Sequence, residues 1–253
     1  MIDLEKARQE FRNYTNSYDT TDFDIRRKIY HSFRVENYAR MLTENTNLDP
    51  DLADLIGLLH DIGRFEQLAK YHTYDDSISI DHADFGVEIL SKNNYIDEYT
   101  NQDHDIILTA IKNHNKYAID TTISGDALIY SKLIRDADKI DILDLVRVEK
   151  STNSIGFDRF EEIRKSKISD PVYRSFISGE TVRKTDMKTP ADEIFCELAY
   201  LYDINFTKSF EFIKRNNSIN IILDQTKGSI EEDRFEYVRG LCNKYIDTKL
   251  GLV

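Results

Sequence analysis

Histidine and aspartate side chains recur at positions that a helical chain would be expected to bury. Apolar residues repeat at spacings of three and four through most of the 253 residues, which is the periodicity of amphipathic helices. Three prolines and nine glycines are few for this length, so long helices are favoured over turn-rich β structure. The sequence therefore predicts an all-α fold.

Two predicted helices begin with a capping residue followed by proline. Asp49 and Thr189 are suitable N-caps, and the proline after each suits the first helical position. The polar segment from about 166 to 188 is predicted to be a loop or irregular. The segment SINIILD at 218–224 fits either a short strand or the start of a helix, because its periodicity does not decide between them.

The composition limits where the chain works and what it binds. With 46 acidic and 34 basic residues the net charge is −12, which repels nucleic-acid polymers and anionic membranes. There is no run of 18 apolar residues, no signal-peptide pattern, and no metal or redox spacing between Cys196 and Cys242. We expect a cytoplasmic protein that binds neither polymer nor membrane, with a homo-oligomer left open. A small phosphorylated ligand remains compatible with this charge, because a local metal or arginine can outweigh it.

Each of five predicted helical segments carries a histidine or an aspartate on its apolar side. A buried, ionised carboxylate needs a counter-charge or a metal, because burial without a partner is costly. A shared metal centre would satisfy all of these groups together, and two metals bridged by one carboxylate are chemically sensible. Imidazole and carboxylate ligands suit iron, manganese, nickel, cobalt or zinc, with magnesium as a further option. The candidate ligands are His31, His60, Asp61, His82, His114 and Asp138.

The adjacent pair His60 and Asp61 interrupts an apolar stripe that runs from Leu52 to Ile62, so the pair is predicted to lie within one helix. Gly57 and Gly63 flank the pair, and small residues there would allow neighbouring helices to approach closely. The polar stretch that follows is predicted to link to the next helix and is a candidate lid.

The order of these residues resembles the HD-domain superfamily of metal-dependent phosphohydrolases, which is named for its His-Asp pair. The match covers about residues 25–148 and is carried by HSFRV, LLHDIGR and RDADKID. Two further histidines, in DHADFGVEIL and AIKNHNK, resemble the branch with a dinuclear metal site. The resemblance implies an all-helical, phosphodiesterase-like core over 25–148. We expect it to belong to a single domain over 1–253, with 149–253 as a helical extension packed on the core.

The resemblance also implies how the ligands are shared between two metals. Some dinuclear relatives have a second histidine directly after the residue that matches His114, whereas this chain has Asn115. The second metal is therefore expected to have an open position, a weaker affinity or an extra water. The implied ligands are His31, His60, Asp61 and Asp138 for the first metal, and Asp61 as a bridge with His82 and His114 for the second.

A metal-bridging hydroxide is a strong nucleophile near neutral pH, since metal binding lowers the pKa of water to about 7. We expect hydrolysis of a phosphate ester or phosphoanhydride of a small molecule, with a nucleotide as the favoured class, and no covalent enzyme intermediate. Arg34, Arg64, Asn115 and Lys139 are the candidates for binding the phosphate. Arg64 and Lys139, which lie near Asp61 and Asp138 in the sequence, are also candidate catalytic groups with Asp61.

Two other functions use the same ligands. HD-fold mixed-valent di-iron oxygenases cleave C–C or C–P bonds with dioxygen, and oxygen uptake with an organic substrate would identify that activity. A non-catalytic nucleotide sensor would bind nucleotide tightly without turnover.

Overall fold

A computed structural model describes residues 2–93, 95–96, 99–148 and 159–253. Within these ranges the structure is helical or irregular and contains no β-strand, with one isolated bridge between Lys227 and Ile230. The predicted all-α fold is confirmed. No helix in the described ranges combines the length and apolar character needed to cross a membrane.

The chain divides into two compact units, Met1–Asp138 and Lys139–Val253. The expected packing of 149–253 on the core stays a prediction, and 149–158 lie outside the described residues. The helices of the first unit are α1 (Leu4–Thr15), α2 (Phe23–Thr43), α3 (Pro50–Leu59), α4 (Gly63–Tyr71), α5 (His82–Lys92) and α6 (Asn101–Asn113), followed by α7 (Gly125–Val148), which continues into the second unit. The second unit also contains α8 (Arg159–Lys165), α9 (Asp170–Ile177), α10 (Pro190–Leu198), α11 (Thr207–Arg215), α12 (Ser218–Asp224), α13 (Glu232–Lys249) and 3₁₀ helices at Lys184–Asp186 and Ala199–Asp203.

Helix α3 is the centre of the first unit. Every residue from Leu52 to Leu59 is buried, and the helix packs against α1, α2 and α6. A helix that is apolar nearly all round belongs in a core. Its one buried acid, Asp54, is paired with Arg40, whose Nε lies 2.7 Å from Asp54 Oδ2. The C-terminal end of α3 therefore delivers the next residues, His60 and Asp61, to the interior.

The prediction that one helix runs through the His-Asp pair is wrong. Helix α3 ends at Leu59, the chain turns through His60, Asp61 and Ile62, and α4 begins at Gly63. Adjacent residues within an α-helix point in different directions, so an uninterrupted helix would not aim both side chains at one centre. In the structure both side chains instead come from the short turn that joins α3 to α4.

Close backbone packing around Gly57 and Gly63 confirms the expected role of small residues. A Cβ at Gly57 would lie 2.8 Å from the Glu36 Cα, and a Cβ at Gly63 would lie 2.1 Å from the His82 carbonyl oxygen. Any larger residue would push α3 away from α2, or α4 away from α5. These two contacts bring the elements of the candidate site together.

Both predicted helix starts are confirmed. The Asp49 side chain accepts from the backbone amide of Asp51 at 2.9 Å at the start of α3. Thr189 and Asp192 form a reciprocal capping box at the start of α10.

In the second unit, the structure corrects one sequence prediction and decides another that was left open. The segment 166–188, predicted to be irregular, contains helix α9, whose buried side chains are Val172 and Phe176. Two buried residues four apart, surrounded by polar ones, give too short a stripe to be recognised as periodic. The ambiguous segment at 218–224 is helix α12, which buries Ile219 and Ile222 in the core of this unit.

Replacing Gly63 with alanine should destabilise the protein, because the added Cβ meets the backbone of α5 rather than a flexible side chain. We expect a loss of at least about 2 kcal/mol in the free energy of unfolding. Gly240 in α13 is the matched control, since a Cβ there meets nothing within 4 Å. Gly240→Ala should raise stability by about 0.5–1 kcal/mol. Urea denaturation of both variants checks this, and equal effects would contradict it.

Candidate metal centre

Six polar side chains from five parts of the first unit converge on one buried place. Five of them are buried, and the side chain of Asp138 is 17% exposed. Three of the histidines lie at helix ends, where backbone groups are available to orient them. The six are His31 on α2, His60 and Asp61 in the turn after α3, His82 at the start of α5, His114 directly after α6, and Asp138 on α7.

The carboxylate of Asp61 lies between two pairs of imidazoles. Its Oδ2 is 3.3 Å from His31 Nε2 and 3.5 Å from His60 Nε2. Its Oδ1 is 3.2 Å from His82 Nε2 and 3.5 Å from His114 Nε2. Each oxygen of a single carboxylate therefore faces a different pair of histidines.

The remaining distances complete two groups of ligand atoms. In the first, His31 Nε2 lies 3.2 Å from His60 Nε2 and 3.2 Å from Asp138 Oδ1. In the second, His82 Nε2 and His114 Nε2 are 3.0 Å apart. Ligands bound to one ion at about 2.0–2.2 Å lie about 3.0–3.5 Å from each other. The spacing of both groups fits a metal ion, and so does their nitrogen and carboxylate chemistry.

Hydrogen bonds to backbone carbonyls set the orientation of two imidazoles. His60 Nδ1 donates to the Gly57 carbonyl and His114 Nδ1 donates to the Ile111 carbonyl, each at 2.7 Å. The proton on Nδ1 leaves Nε2 with its lone pair directed into the cluster. Burial lowers the pKa of His60 to about 3 and also lowers the pKa of His114. Both rings are therefore neutral at pH 7, as metal ligation requires.

The two carboxylates stay ionised despite their burial. Burial alone would raise the pKa of Asp61, but the Lys28 ammonium and the imidazoles of His60, His114 and His31 around the carboxylate hold that pKa well below its usual range. Burial would also raise the pKa of Asp138, but the His31 and His60 side chains beside it hold that pKa below its usual range. The cluster thus presents two anionic carboxylates beside the neutral rings of His60 and His114.

Lys28, which the sequence pattern did not single out, is the cation closest to the Asp61 carboxylate among the described residues. Its Nζ lies 2.6 Å from Asp61 Oδ2, and its side chain is 16% exposed. The residue lies three positions before His31 on α2, so helical spacing places both on one face. That spacing was the signal available in the sequence.

Arg64 lies beside the cluster and holds the following polar stretch. Its Nε is 3.7 Å from Asp61 Oδ1, and its Nη1 donates to Gln67 Oε1 at 2.7 Å, to the Tyr74 carbonyl at 2.7 Å and to Asp76 Oδ1 at 2.9 Å. The stretch predicted as a candidate lid is therefore hydrogen-bonded to α4.

Asp76, which the sequence pattern did not single out either, is the hydrogen-bond partner of His82 Nδ1. Its Oδ2 accepts from His82 Nδ1 at 2.8 Å and lies 3.2 Å from Asn115 Nδ2. Partial burial would raise the pKa of Asp76, but His82, Arg64 and Gln67 hold it below its usual range. Nothing in the polar sequence around Asp76 distinguishes it from its neighbours.

The other predicted phosphate-binding residues occupy different surroundings. Arg34 is half-buried on α2, three residues after His31. The Asn115 amide donates to Asp76 and to Asp81 Oδ1, the latter at 3.0 Å. Lys139 Nζ pairs with Asp203 Oδ2 at 2.8 Å within the second unit. Their roles toward a substrate stay predictions.

Arg135 on α7 anchors the segment that carries His114. Its Nη1 donates to the carbonyls of Asn113, His114 and Lys116 at 2.8, 3.3 and 2.5 Å. The side chain is buried, and its positive charge meets the carbonyl end of α6. Sequence analysis missed this residue, although it lies three positions before Asp138.

The family model described as HD domain matches residues 29–143. Residues 29–143 are thus similar to the HD-domain family. The matched range includes all six converging residues and confirms the resemblance to the HD superfamily seen in the sequence. No curated protein and no solved structure matches the chain.

Replacing Lys28 with methionine should destabilise the metal-free protein, because Asp61 then loses its only ammonium partner among the described residues. The expected loss is on the order of 3 kcal/mol, as for breaking a buried ion pair. Added Mn²⁺ should restore more stability to the variant than it adds to the natural protein. Thermal unfolding with and without Mn²⁺ measures both effects.

Lys92→Met is the matched control, since Lys92 is exposed on α5 and pairs only with Glu88 among its described contacts. Its stability should change by less than about 1 kcal/mol. The same small change in Lys28→Met would contradict the role assigned to the Lys28–Asp61 pair.

Proposed function

We propose that this HD-domain protein is a divalent-metal-dependent phosphohydrolase with a dinuclear metal centre. The observation that carries the proposal is the position of Asp61, whose two carboxylate oxygens face separate pairs of imidazoles. A carboxylate placed in this way is suited to bridge two ions. The HD-domain match supports metal-dependent hydrolysis of phosphates as the class of reaction.

The donor groups divide naturally between two ions. A pair of bound divalent ions would lower the pKa of a coordinated water to about 7 and neutralise charge that develops on a phosphoryl group. Asp61 Oδ1 would serve the second ion together with His82 and His114. The first ion would be held by Asp61 Oδ2, His31, His60 and Asp138.

Lys28 and Arg64 are the cations placed to act on the substrate. Lys28 is partly exposed and lies within hydrogen-bond distance of Asp61, so its ammonium can bind a phosphoryl oxygen next to the bridging carboxylate. Arg64 is buried and its Nη1 is engaged with Gln67, Tyr74 and Asp76, so it acts mainly by positioning Asp61 and the polar stretch. The chain would thus place the carboxylates of Asp61 and Asp138 at the metal ions and the ammonium of Lys28 at the phosphoryl group.

The proposed substrate is a small phosphorylated molecule, with nucleotides as the favoured class. The net charge of −12 disfavours a nucleic-acid polymer, whose binding depends on many phosphate contacts with basic side chains. A single phosphoryl group needs only the local positive charge of the centre.

The test is phosphate release from a panel of phosphate esters and nucleotides by protein loaded with Mn²⁺, Fe²⁺, Co²⁺, Ni²⁺ or Zn²⁺. We expect at least one compound to be hydrolysed, and Asp61→Asn to reduce its turnover at least about 100-fold. Hydrolysis of a substrate that is isotopically chiral at phosphorus should proceed with inversion of configuration, because a single attack by water with no covalent enzyme intermediate is expected.

Two outcomes would contradict the proposal. Metal-loaded protein that hydrolyses no member of the panel is not a phosphohydrolase of this class. Oxygen consumption by the iron-loaded protein with an organic substrate, without phosphate release, would instead identify the oxygenase.

A further inference from the structure

The second group of ligand atoms contains one imidazole that is oriented differently from its neighbours. His60 and His114 each donate from Nδ1 to a backbone carbonyl. His82 Nδ1 instead lies 2.9 and 2.8 Å from the two oxygens of the Asp76 carboxylate. A carboxylate partner makes an imidazole a stronger metal donor than a neutral carbonyl does, and it fixes the same tautomer.

Asp76 is itself held from several sides. Arg64 Nη1 and Gln67 Nε2 donate to its Oδ1 at 2.9 and 2.8 Å, and Asn115 Nδ2 lies 3.2 Å from its Oδ2. Arg64 and Gln67 are buried on α4, and Asn115 follows α6. The carboxylate is therefore fixed relative to the His82 ring by three separate side chains.

Asn115 links this arrangement to the composition of the second site. In some dinuclear relatives this position is a histidine, whereas here the amide donates to Asp76 and Asp81 on the outer side of His82. The protein donors that face the second position are thus Asp61 Oδ1, His82 and His114. With three donors, the basicity and orientation of each one weigh heavily on affinity.

We propose that Asp76 is a positioning residue that sets the affinity of the second metal position through His82. This inference rests on the dinuclear centre of the proposed function. It deepens that proposal, because it makes the second position depend on the polar stretch between α4 and α5, where Asp76 lies. Among the described contacts, Asp76 touches no ligand of the first metal position. The affinity of that position should therefore not depend on Asp76.

The experiment titrates metal-free protein with Mn²⁺, followed by calorimetry and checked by elemental analysis after equilibrium dialysis. The natural protein should bind two ions per chain. Asp76→Ala should weaken the second binding constant about 10- to 100-fold and leave the first unchanged within about twofold. Asp76→Asn removes the charge while keeping the shape of the side chain. Its second binding constant should lie between those of the natural protein and Asp76→Ala.

Asp75→Asn is the matched control. Asp75 is the preceding residue of the same stretch, is exposed, and accepts from Ser77 at 2.9 Å from the backbone and 2.7 Å from the hydroxyl. The Asp75→Asn variant should bind both Mn²⁺ ions with the same constants as the natural protein. Thermal unfolding of all metal-free variants tests whether each is folded.

A second readout separates positioning from a structural role. ¹⁵N NMR of the histidine rings in metal-free protein should show His82 protonated at Nδ1, and Asp76→Ala should shift it toward the Nε2-protonated tautomer. His60 and His114 should keep their Nδ1 protons, because their carbonyl partners are unchanged.

Three results would overturn the inference: a second Mn²⁺ constant unchanged in Asp76→Ala and Asp76→Asn, equal weakening of both constants, or only one ion bound by the natural protein. The proposed function fails separately. Natural protein that binds two ions but hydrolyses no phosphate contradicts that function and leaves the role of Asp76 to be decided by the second constant.

Discussion

The Asp61 carboxylate is the group on which the arrangement of the first unit depends. It is 3% exposed, yet it lies within 3.5 Å of four imidazoles and 2.6 Å of one ammonium. An ionised carboxylate in such a place is stable only if its partners stay fixed. The helices that supply them are therefore tied to one another through this side chain as well as through the apolar core.

The fold builds the site largely from helix ends. His82 begins α5, whereas His60 follows α3 and His114 follows α6, where carbonyl groups at the C-terminal end of a helix are available as acceptors. Two of these carbonyls fix the rings of His60 and His114. Close packing at Gly57 and Gly63 brings these helix ends together. The backbone contacts therefore also set the distances between the candidate ligands.

Much of this could be predicted from the sequence, because helical periodicity survives in a single chain. The all-α fold, the caps at Asp49 and Thr189 and the close approach at Gly63 follow from local patterns. The break between α3 and α4 after Leu59 could not be predicted, because the apolar stripe continues through it to Ile62. Helix α9 was missed because its buried stripe is only two residues long.

The residues missed at the site have a common physical reason. Asp76 contacts His82 from an irregular stretch six residues away, and Arg135 acts on backbone carbonyls, so neither interaction has a periodic signature. Lys28 could have been found from its spacing to His31, but nothing in the sequence indicates that its partner is Asp61. The convergence of the six candidate ligands was easier to predict, because burying a polar group on an apolar stripe conflicts with the local pattern.

Anomalous X-ray diffraction from crystals grown with Mn²⁺ tests the central claim, that Asp61 bridges two metal ions. The account predicts two anomalous peaks about 3.5–4 Å apart, one on each side of the Asp61 carboxylate. The first should lie among His31, His60 and Asp138, and the second between His82 and His114. A single peak, or peaks that do not contact Asp61, would contradict it.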